Sequence, residues 1–472
     1  MSSVSPWSEV GPVSDRPLRP AARSTQAGHR PALLLAWNRT VRLYGEQRAV
    51  VQACDGTALT FRELDARAES WRRMHVPEPA ALRGRAVVFA VANGPGWLEM
   101  FLGLLQAGAV VVPLDAAEPA AAQRQLAESL RAGFWWTDGK LAALAGAKRF
   151  RDPAVCLLKV TSGTTGRPRA LAFTAGQLLA DARNVTATMG IDRRDLSYAM
   201  IPFGHAYGLG NLTIPMLAQG VPLVCGTAPL PHAIAADFAR WRPTVFPGVP
   251  TLWRALAGSD LTLPGLRLAI SAGAPLAPAV AQEFATRFGR RLHSLYGSSE
   301  TGAVAYDRSG AATLAGAVGQ ALRGVNLTAL DGARLRVSSA AVLTLGNRRR
   351  SGRQGAWIMP DRVVLDDRGG VTLLGRRGQT VKIAGRRVNL AEVTARLRQV
   401  AGVQEAWVAL TPGPEPVLAA VVATGLTAAG LRATLRADTA SWKIPRKLIV
   451  VAGMPVTARG KTDTRALQAM VG

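Results

Sequence analysis

From residue 33 onward, short β-branched or apolar runs alternate with stretches of helical periodicity, and this alternation restricts the fold more than any other feature. Ala86 to Ala92 reads as a strand, the segment starting at Trp97 as a helix, and Val110 to Pro113 as a second strand. The order returns at Val221 to Cys225, a helix around Ala233 to Arg240, and Val245 with Phe246. Leu266 to Ser271 is a further strand, followed by a turn over Ala272, Gly273, Ala274 and Pro275 and a helix through Phe288. Successive strands joined through helices run parallel, since a tight hairpin links only antiparallel neighbours. The expected class is therefore α/β, with parallel-rich sheets covered by helices. No internal repeat is evident.

A chain of 472 residues exceeds what one hydrophobic core organises, so two or more domains are expected. The basic stretch Arg348 to Gln354 reads as a surface loop ahead of a β segment at Arg362 to Leu365, with a turn at Asp366 to Gly370. A second turn cluster, Gly375 to Gln379, separates Val371 to Leu374 from Thr380 to Ile383. Beyond it come a helix over Leu390 to Val400 and strands at Val403 to Leu410 and Val417 to Ala423. Turn residues and charge concentrate near Arg376, which places the boundary between a body at 33–375 and a small C-terminal domain at 376–472.

Residues 1–32 are rich in Ser, Pro and Arg and lack an apolar h-region, so they are expected to be a disordered lead-in and not a secretory signal. Trp97 to Leu114 is the only membrane candidate, but Glu99, Gln106 and Gly108 make it a buried helix turning into a strand. No integral membrane segment is expected. Cys54, Cys156 and Cys225 are widely spaced, odd in number and form neither a CxxC metal pattern nor a disulfide framework, which fits a reducing, cytoplasmic setting.

The formal charge of +26 suggests a polyanionic partner. Of the 57 basic residues, however, 7 are lysines and the remaining 50 are arginines scattered along the chain, so nucleic acid is not the expected partner.

The strongest local signal is Val160 to Ala170, VTSGTTGRPRA. Thr161, Ser162, Gly163, Thr164, Thr165 and Gly166 let backbone amides and hydroxyls converge on phosphate oxygens, and Arg167 and Arg169 supply countercharge. No GK[ST] follows the glycine, so this is not a Walker A loop.

The loop resembles the phosphate-binding motif of the adenylate-forming superfamily, which includes acyl-CoA synthetases, peptide-synthetase adenylation domains and luciferase. Further segments resemble that superfamily in its own order. IPFGHAYGLG at Ile201 to Gly210 is similar to the helix-start motif that bears an aromatic or His beside the carboxylate, here Phe203 and His205 with Tyr207 and Gly208. SAGAPL at Ser271 to Leu276 resembles the turn bordering adenine and the acyl group, through Ser271, Ala272, Gly273, Ala274 and Pro275. YGSSET at Tyr296 to Thr301 resembles the YGxTE segment, with Gly297 and Ser298 in place and Ser299 where threonine is usual.

Asp361 and Arg376, 15 residues apart, match the ribose-binding aspartate and the hinge arginine, although Met359 and Pro360 replace the usual Thr-Gly and Gly378 replaces the hinge acid or lysine. TVKIAGRRVNLAE resembles the small-domain motif that approaches the site during thiol transfer, with Lys382 and Gly385 its best-matched members. PVTARGK, ending at Lys461, is similar to the terminal catalytic-lysine motif.

The resemblance implies a large N-terminal domain with a barrel-like subdomain and a small mobile C-terminal α+β lid. It also implies an ATP-dependent ligase that forms an acyl-AMP and passes the acyl group to a thiol, of coenzyme A or of a carrier protein's phosphopantetheine. Lys461 would then be the adenylation lysine, Tyr296 would pack on adenine, and Glu300 would hold a magnesium ion on the triphosphate. ATP and coenzyme A are polyanions that a basic surface would also attract, and an acidic acyl carrier protein would suit it equally. Gly204 and His205 stand where amino-acid-specific members place an acid, so an aromatic or fatty carboxylic acid is the expected substrate. The departures at Met359, Pro360, Gly378 and Ser299 leave a second reading, a catalytically degenerate adenylate-binding protein.

Overall fold

The structure is a computed structural model and describes residues 32–161, 169–344, 355–376, 380–383, 386–412, 417–436, 439, 443–457 and 462–472. Of the expected lead-in at 1–32, residues 1–31 lie outside the described residues, as does the basic loop at 348–354, whereas Ala32 already belongs to helix Ala32–Tyr44.

Two large sheets dominate. In the first, the strands Phe134–Thr137, Ala86–Ala90, Val110–Leu114 and Val155–Thr161 run parallel, and antiparallel strands Lys140–Ala143 and Arg169–Thr174 close its two edges. Val110–Leu114 is buried at every position, as expected of a parallel strand covered on both faces. The second sheet has nine strands, and its central run Leu292–Ser298, Leu268–Ser271, Val245–Gly248, Ser197–Ala199, Leu223–Cys225 and Arg48–Gln52 is parallel throughout. The alternation seen in the sequence thus resolves into βα crossovers. Leu223–Cys225 and Val245–Gly248, joined by the helix Pro231–Trp241, are not direct neighbours, because Ser197–Ala199 lies between them.

Helix Pro95–Gln106, part of the apolar stretch singled out above, is buried along most of its length. Trp97 stacks on Phe101 at 4.9 Å and meets Phe203 edge-on at 5.2 Å. Among the described residues no helix is long and apolar enough to cross a membrane.

A four-stranded antiparallel sheet follows, built from Val325–Leu330, Arg334–Ser339, Gly355–Leu365 and Val371–Arg376. Asp361 lies inside the long strand Gly355–Leu365, which starts earlier than the Arg362 to Leu365 segment readable in the sequence. After Arg376 the chain enters separate, smaller sheets: the hairpin Thr380–Ile383 with Arg386–Asn389, and a three-stranded sheet of Val403–Leu410, Leu418–Thr424 and Lys447–Val451. Helices Leu390–Gln399, Ala428–Arg436 and Thr464–Val471 pack on these strands. Arg254 of the body bridges to this part, 3.6 Å from Glu405 and donating to the Gln404 carbonyl at 3.2 Å.

Candidate active site

The glycine-rich segment begins where strand Val155–Thr161 ends and returns at Arg169, whose backbone pairs across the ladder with Thr161. The Thr161 hydroxyl donates to the Arg169 carbonyl at 3.4 Å. Ser162, Gly163, Thr164, Thr165 and Gly166 lie outside the described residues.

Strand Leu292–Ser298 turns back into Gly302–Tyr306, with Gly297 opposite Ala303 and Ser298 opposite Gly302, so Ser299, Glu300 and Thr301 form the hairpin tip. Glycine is required at 297, where a Cβ would stand 2.3 Å from the Gly302 carbonyl. Ser298 donates its N–H to the buried Thr301 hydroxyl at 3.2 Å and fixes the tip from within. From outside, the Leu343 N–H donates to the Glu300 carbonyl at 2.7 Å.

Residues beside Leu343 are held in turn by Gln177, which donates to the Val342 carbonyl at 2.8 Å. Gln177 is also the second half of a capping box with Thr174 at the start of helix Ala175–Met189. One helix start therefore indexes the segment that carries the Glu300 turn.

Tyr296, 8% exposed, donates its hydroxyl to Asp361 Oδ2 at 2.7 Å. The bond ties the end of the nine-stranded sheet to the four-stranded one. Asp361 is also the register partner of Arg376 on the neighbouring strand, which juxtaposes the two residues assigned to ribose and hinge. Met359 is buried and Pro360 exposed, and Asp361 stays within the strand Gly355–Leu365, at an irregularity where the ladder to Arg334–Ser339 skips from Ile358 to Arg362.

Strand Leu268–Ser271 delivers Ser271 and Ala272, both buried, to its C-terminal end, where Gly273, Ala274 and Pro275 turn outward and are exposed. Gly273 has φ +89°, a left-handed conformation that suits glycine. The C-terminal ends of parallel strands are where α/β sheets generally bind ligands.

His205 stands at the N-terminal boundary of the short helix Ala206–Gly208, without a side-chain capping bond, and its Nε2 is 3.5 Å from Asp115 Oδ2, at the end of strand Val110–Leu114. Tyr207 donates its hydroxyl to the Ile270 carbonyl at 3.3 Å, and burial pushes its phenol well above the usual value. Gly208 permits a close approach, since a Cβ there would lie 2.1 Å from the Pro202 carbonyl. Phe203 is fully buried against Trp97, so its ring belongs to the core beneath this segment.

Lys382 lies on the hairpin strand Thr380–Ile383, opposite Arg387, while Gly385 falls outside the described residues. Lys461 also lies outside them, one residue before Thr462, which bridges back to Val456. Asp463 then caps helix Thr464–Val471 by accepting from the Arg465 and Ala466 amides.

Two charged residues were missed in the sequence. Lys159 is buried on strand Val155–Thr161, two residues before Thr161, with its ammonium 4.2 Å from the Phe173 ring centroid. Burial pushes this ammonium below the usual lysine value, and Asp181 and Glu300 oppose the shift. Asp181 is buried on helix Ala175–Met189 and accepts the Ala303 N–H at 2.9 Å. Burial pushes its carboxyl up, and Lys159 opposes that. The available signal was a lysine inside the apolar run VCLLKVT of a chain with few lysines.

Among the described residues no cluster of three or more His, Cys, Asp or Glu side chains could hold an ion. Glu300 fits a different arrangement: its half-buried carboxylate accepts no hydrogen bond among the described residues, so it could give one ligand to an ion otherwise held by phosphate oxygens. That is the usual mode for magnesium, which dehydrates reluctantly and binds through one or two carboxylates plus substrate phosphates.

The fold and the order of these segments define a nucleotide-dependent α/β enzyme with its candidate site between sheet ends and a separate C-terminal part. The structure resembles ATP-bound MatB from Rhodopseudomonas palustris, with a TM-score of 0.78 at 24% identity over 92% of this chain and 98% of that one. It likewise resembles the anthranilate CoA ligase AuaEII in complex with anthranoyl-AMP, with a TM-score of 0.78 at 20% identity over 93% and 97% of the two chains. In sequence it is 28% identical over 459 residues to a feruloyl-CoA synthase from Amycolatopsis sp, covering 86% of this chain and 92% of the relative. It is also 28% identical over 362 residues to a benzoate–CoA ligase from Thauera aromatica, 69% of each. The AMP-binding enzyme family matches residues 37–154 and 146–340, and the chain belongs to that family.

Proposed function

We infer that this protein is an ATP-dependent acid–thiol ligase that condenses an aromatic carboxylic acid with ATP, releases diphosphate, and passes the acyl group from the acyl-AMP to a thiol. The observation that carries this reading is the 2.7 Å bond between Tyr296 and Asp361, which assembles the nucleoside-binding pair despite the altered residues before the aspartate. The aromatic substrate class is supported by relatives named for feruloyl-CoA and benzoate–CoA synthesis and by the neutral surroundings of Tyr207, Ser271 and Ala272.

In the first half-reaction a carboxylate oxygen attacks the α-phosphorus and diphosphate leaves. Asp361 would accept from the ribose hydroxyls, and the loop beginning at Thr161 would donate to the phosphates. His205, placed by Asp115, would lie beside the acyl carboxylate. Lys461 would neutralise charge gathering between carboxylate and α-phosphate. Glu300 would hold magnesium, whose chemistry is to neutralise phosphate charge and so lower the cost of attack. In the second half-reaction Lys382 and Gly385 would face the incoming thiol, with rotation after Arg376 exchanging the two faces of the C-terminal part.

The acceptor is coenzyme A, the thiol named for the closely aligned relatives, with the phosphopantetheine arm of an acidic carrier protein as the second candidate. The three cysteines are free, which suits a reducing cytoplasm.

Diphosphate release should be followed across a panel of benzoic and cinnamic acids, fatty acids and amino acids, each with and without coenzyme A. Release that depends on an aromatic acid, followed by the matching acyl-CoA, supports the reading. ATP binding without release for any acid would establish the degenerate binder instead.

A further inference from the structure

Behind the Glu300 turn lies the buried Asp181, and the buried Lys159 of opposite charge sits on the strand Val155–Thr161 that packs against the helix bearing Asp181. Gly302 and Gly210 both lack the Cβ that would meet the Asp181 carboxylate, at 2.3 Å from Oδ1 and 2.8 Å from Oδ2, so two separate segments leave room for it. Gly302 further requires glycine through its φ of +69°. The same carboxylate grips the Ala303 amide, directly after the hairpin tip that bears Glu300. An asparagine would satisfy that amide equally well. Lys159 meanwhile lies opposite Leu171 and against Phe173, where an apolar side chain would pack without desolvating a charge. Both charges are retained at the root of the phosphate loop and beside the carboxylate offered to a metal.

We propose, on the ligase reading above, that Lys159 and Asp181 are positioning residues that set the electrostatic balance of the metal and nucleotide site, Lys159 offsetting the second negative charge beside Glu300. Without Lys159 the site would present two carboxylates, which draws a divalent cation more tightly and repels a triphosphate. Without the Asp181 charge the balance reverses. With both neutralised the net charge is unchanged. A merely structural pair would not produce shifts of opposite sign.

The test uses the full chain with Mn2+ as a spectroscopic substitute for magnesium. Mn2+ affinity of the ATP-bound protein is read by electron paramagnetic resonance, and ATP affinity at saturating Mn2+ by calorimetry. Lys159→Met is expected to tighten Mn2+ and weaken ATP, each by about tenfold, the scale of one unit charge nearby in a partly screened interior. Asp181→Asn is expected to weaken Mn2+ by about tenfold without weakening ATP. The double variant should return both affinities towards wild type, and Lys159→Arg should keep the wild-type balance.

Thermal melting identifies any variant that fails to fold, and Asp181→Asn with Lys159→Arg carries the test if Lys159→Met is lost. Shifts of the same sign in both affinities, or a double variant no closer to wild type than either single one, would overturn the proposal and leave the ligase reading intact. A wild-type protein that bound neither ATP nor Mn2+ would remove that reading, and the proposal with it.

Discussion

Replacing Tyr296 with phenylalanine removes one oxygen and leaves the ring that is expected to pack on adenine. The lost hydroxyl donates at 2.7 Å to a carboxylate from a side chain only 8% exposed. A hydrogen bond to a charged group contributes about 1.5–3 kcal/mol net. Asp361 has other partners as well, so its charge is not orphaned and the lower part of that range applies.

About 1.5 kcal/mol should therefore disappear from unfolding stability. Part of it should also disappear from nucleotide binding, because the carboxylate that must meet the ribose is no longer fixed. A loss of about 1 kcal/mol raises the ATP dissociation constant about fivefold. The clean measurement is a double-mutant cycle of Tyr296→Phe, Asp361→Ala and the pair, with ATP binding by calorimetry and stability by urea titration. A coupling energy of about 1 kcal/mol is expected for residues in contact. Coupling below about 0.3 kcal/mol, within the spread seen for independent sites, would refute the view that Tyr296 holds Asp361 for the nucleotide.

Other consequences are open to direct measurement. Lys461→Ala should reduce acyl-adenylate formation by at least ~10²-fold, as for loss of one key charge-stabilising donor, while thioester formation from supplied acyl-AMP continues; unchanged adenylation removes Lys461 from the mechanism. Chelating divalent ions should stop diphosphate release, and Glu300→Gln should raise the half-saturating magnesium concentration; release that persists in excess chelator contradicts a metal on Glu300. Gly302→Ala forces a side chain into a φ of +69° and towards Asp181, so urea unfolding should show about 2.5–5 kcal/mol less stability, the sum of left-handed strain and a lost charged hydrogen bond. A variant as stable as wild type would show that the turn has slack.

What could be read from the sequence and what could not divide along a physical line. The crossover Ala86–Ala90 to Val110–Leu114 and the strand Leu268–Ser271 were legible because strand and helix periodicities are local properties of side-chain direction. The segments at Thr161, Ser271 and Tyr296 stand out in the sequence because a turn built to meet a ligand with its backbone gathers small residues next to one another. Neighbourhood across the sheet was not legible. Nothing in the order of the chain places Ser197–Ala199 between Leu223–Cys225 and Val245–Gly248, since strand order is decided by burial of whole helices against whole sheets. The strand around Asp361 also runs further back than the Arg362 to Leu365 segment readable in the sequence: it passes through Pro360, which is exposed, and Met359, which fills the core.

Lys159 and Asp181 illustrate the same limit more sharply. Each alone reads as an ordinary polar interruption, a lysine in a strand and an aspartate in a helix 22 residues later. Only the fold brings Asp181 to the Ala303 amide, 122 positions away, and only there does Gly210 acquire a reason to be glycine. A residue that contacts a ligand leaves a short motif behind it, because the ligand gathers consecutive residues. A residue that acts through another leaves no such trace, and its signature is a mismatch between side chain and burial, visible only once burial is known. For this chain that mismatch falls on the strand that leads into the phosphate loop and on the helix that indexes the Glu300 turn.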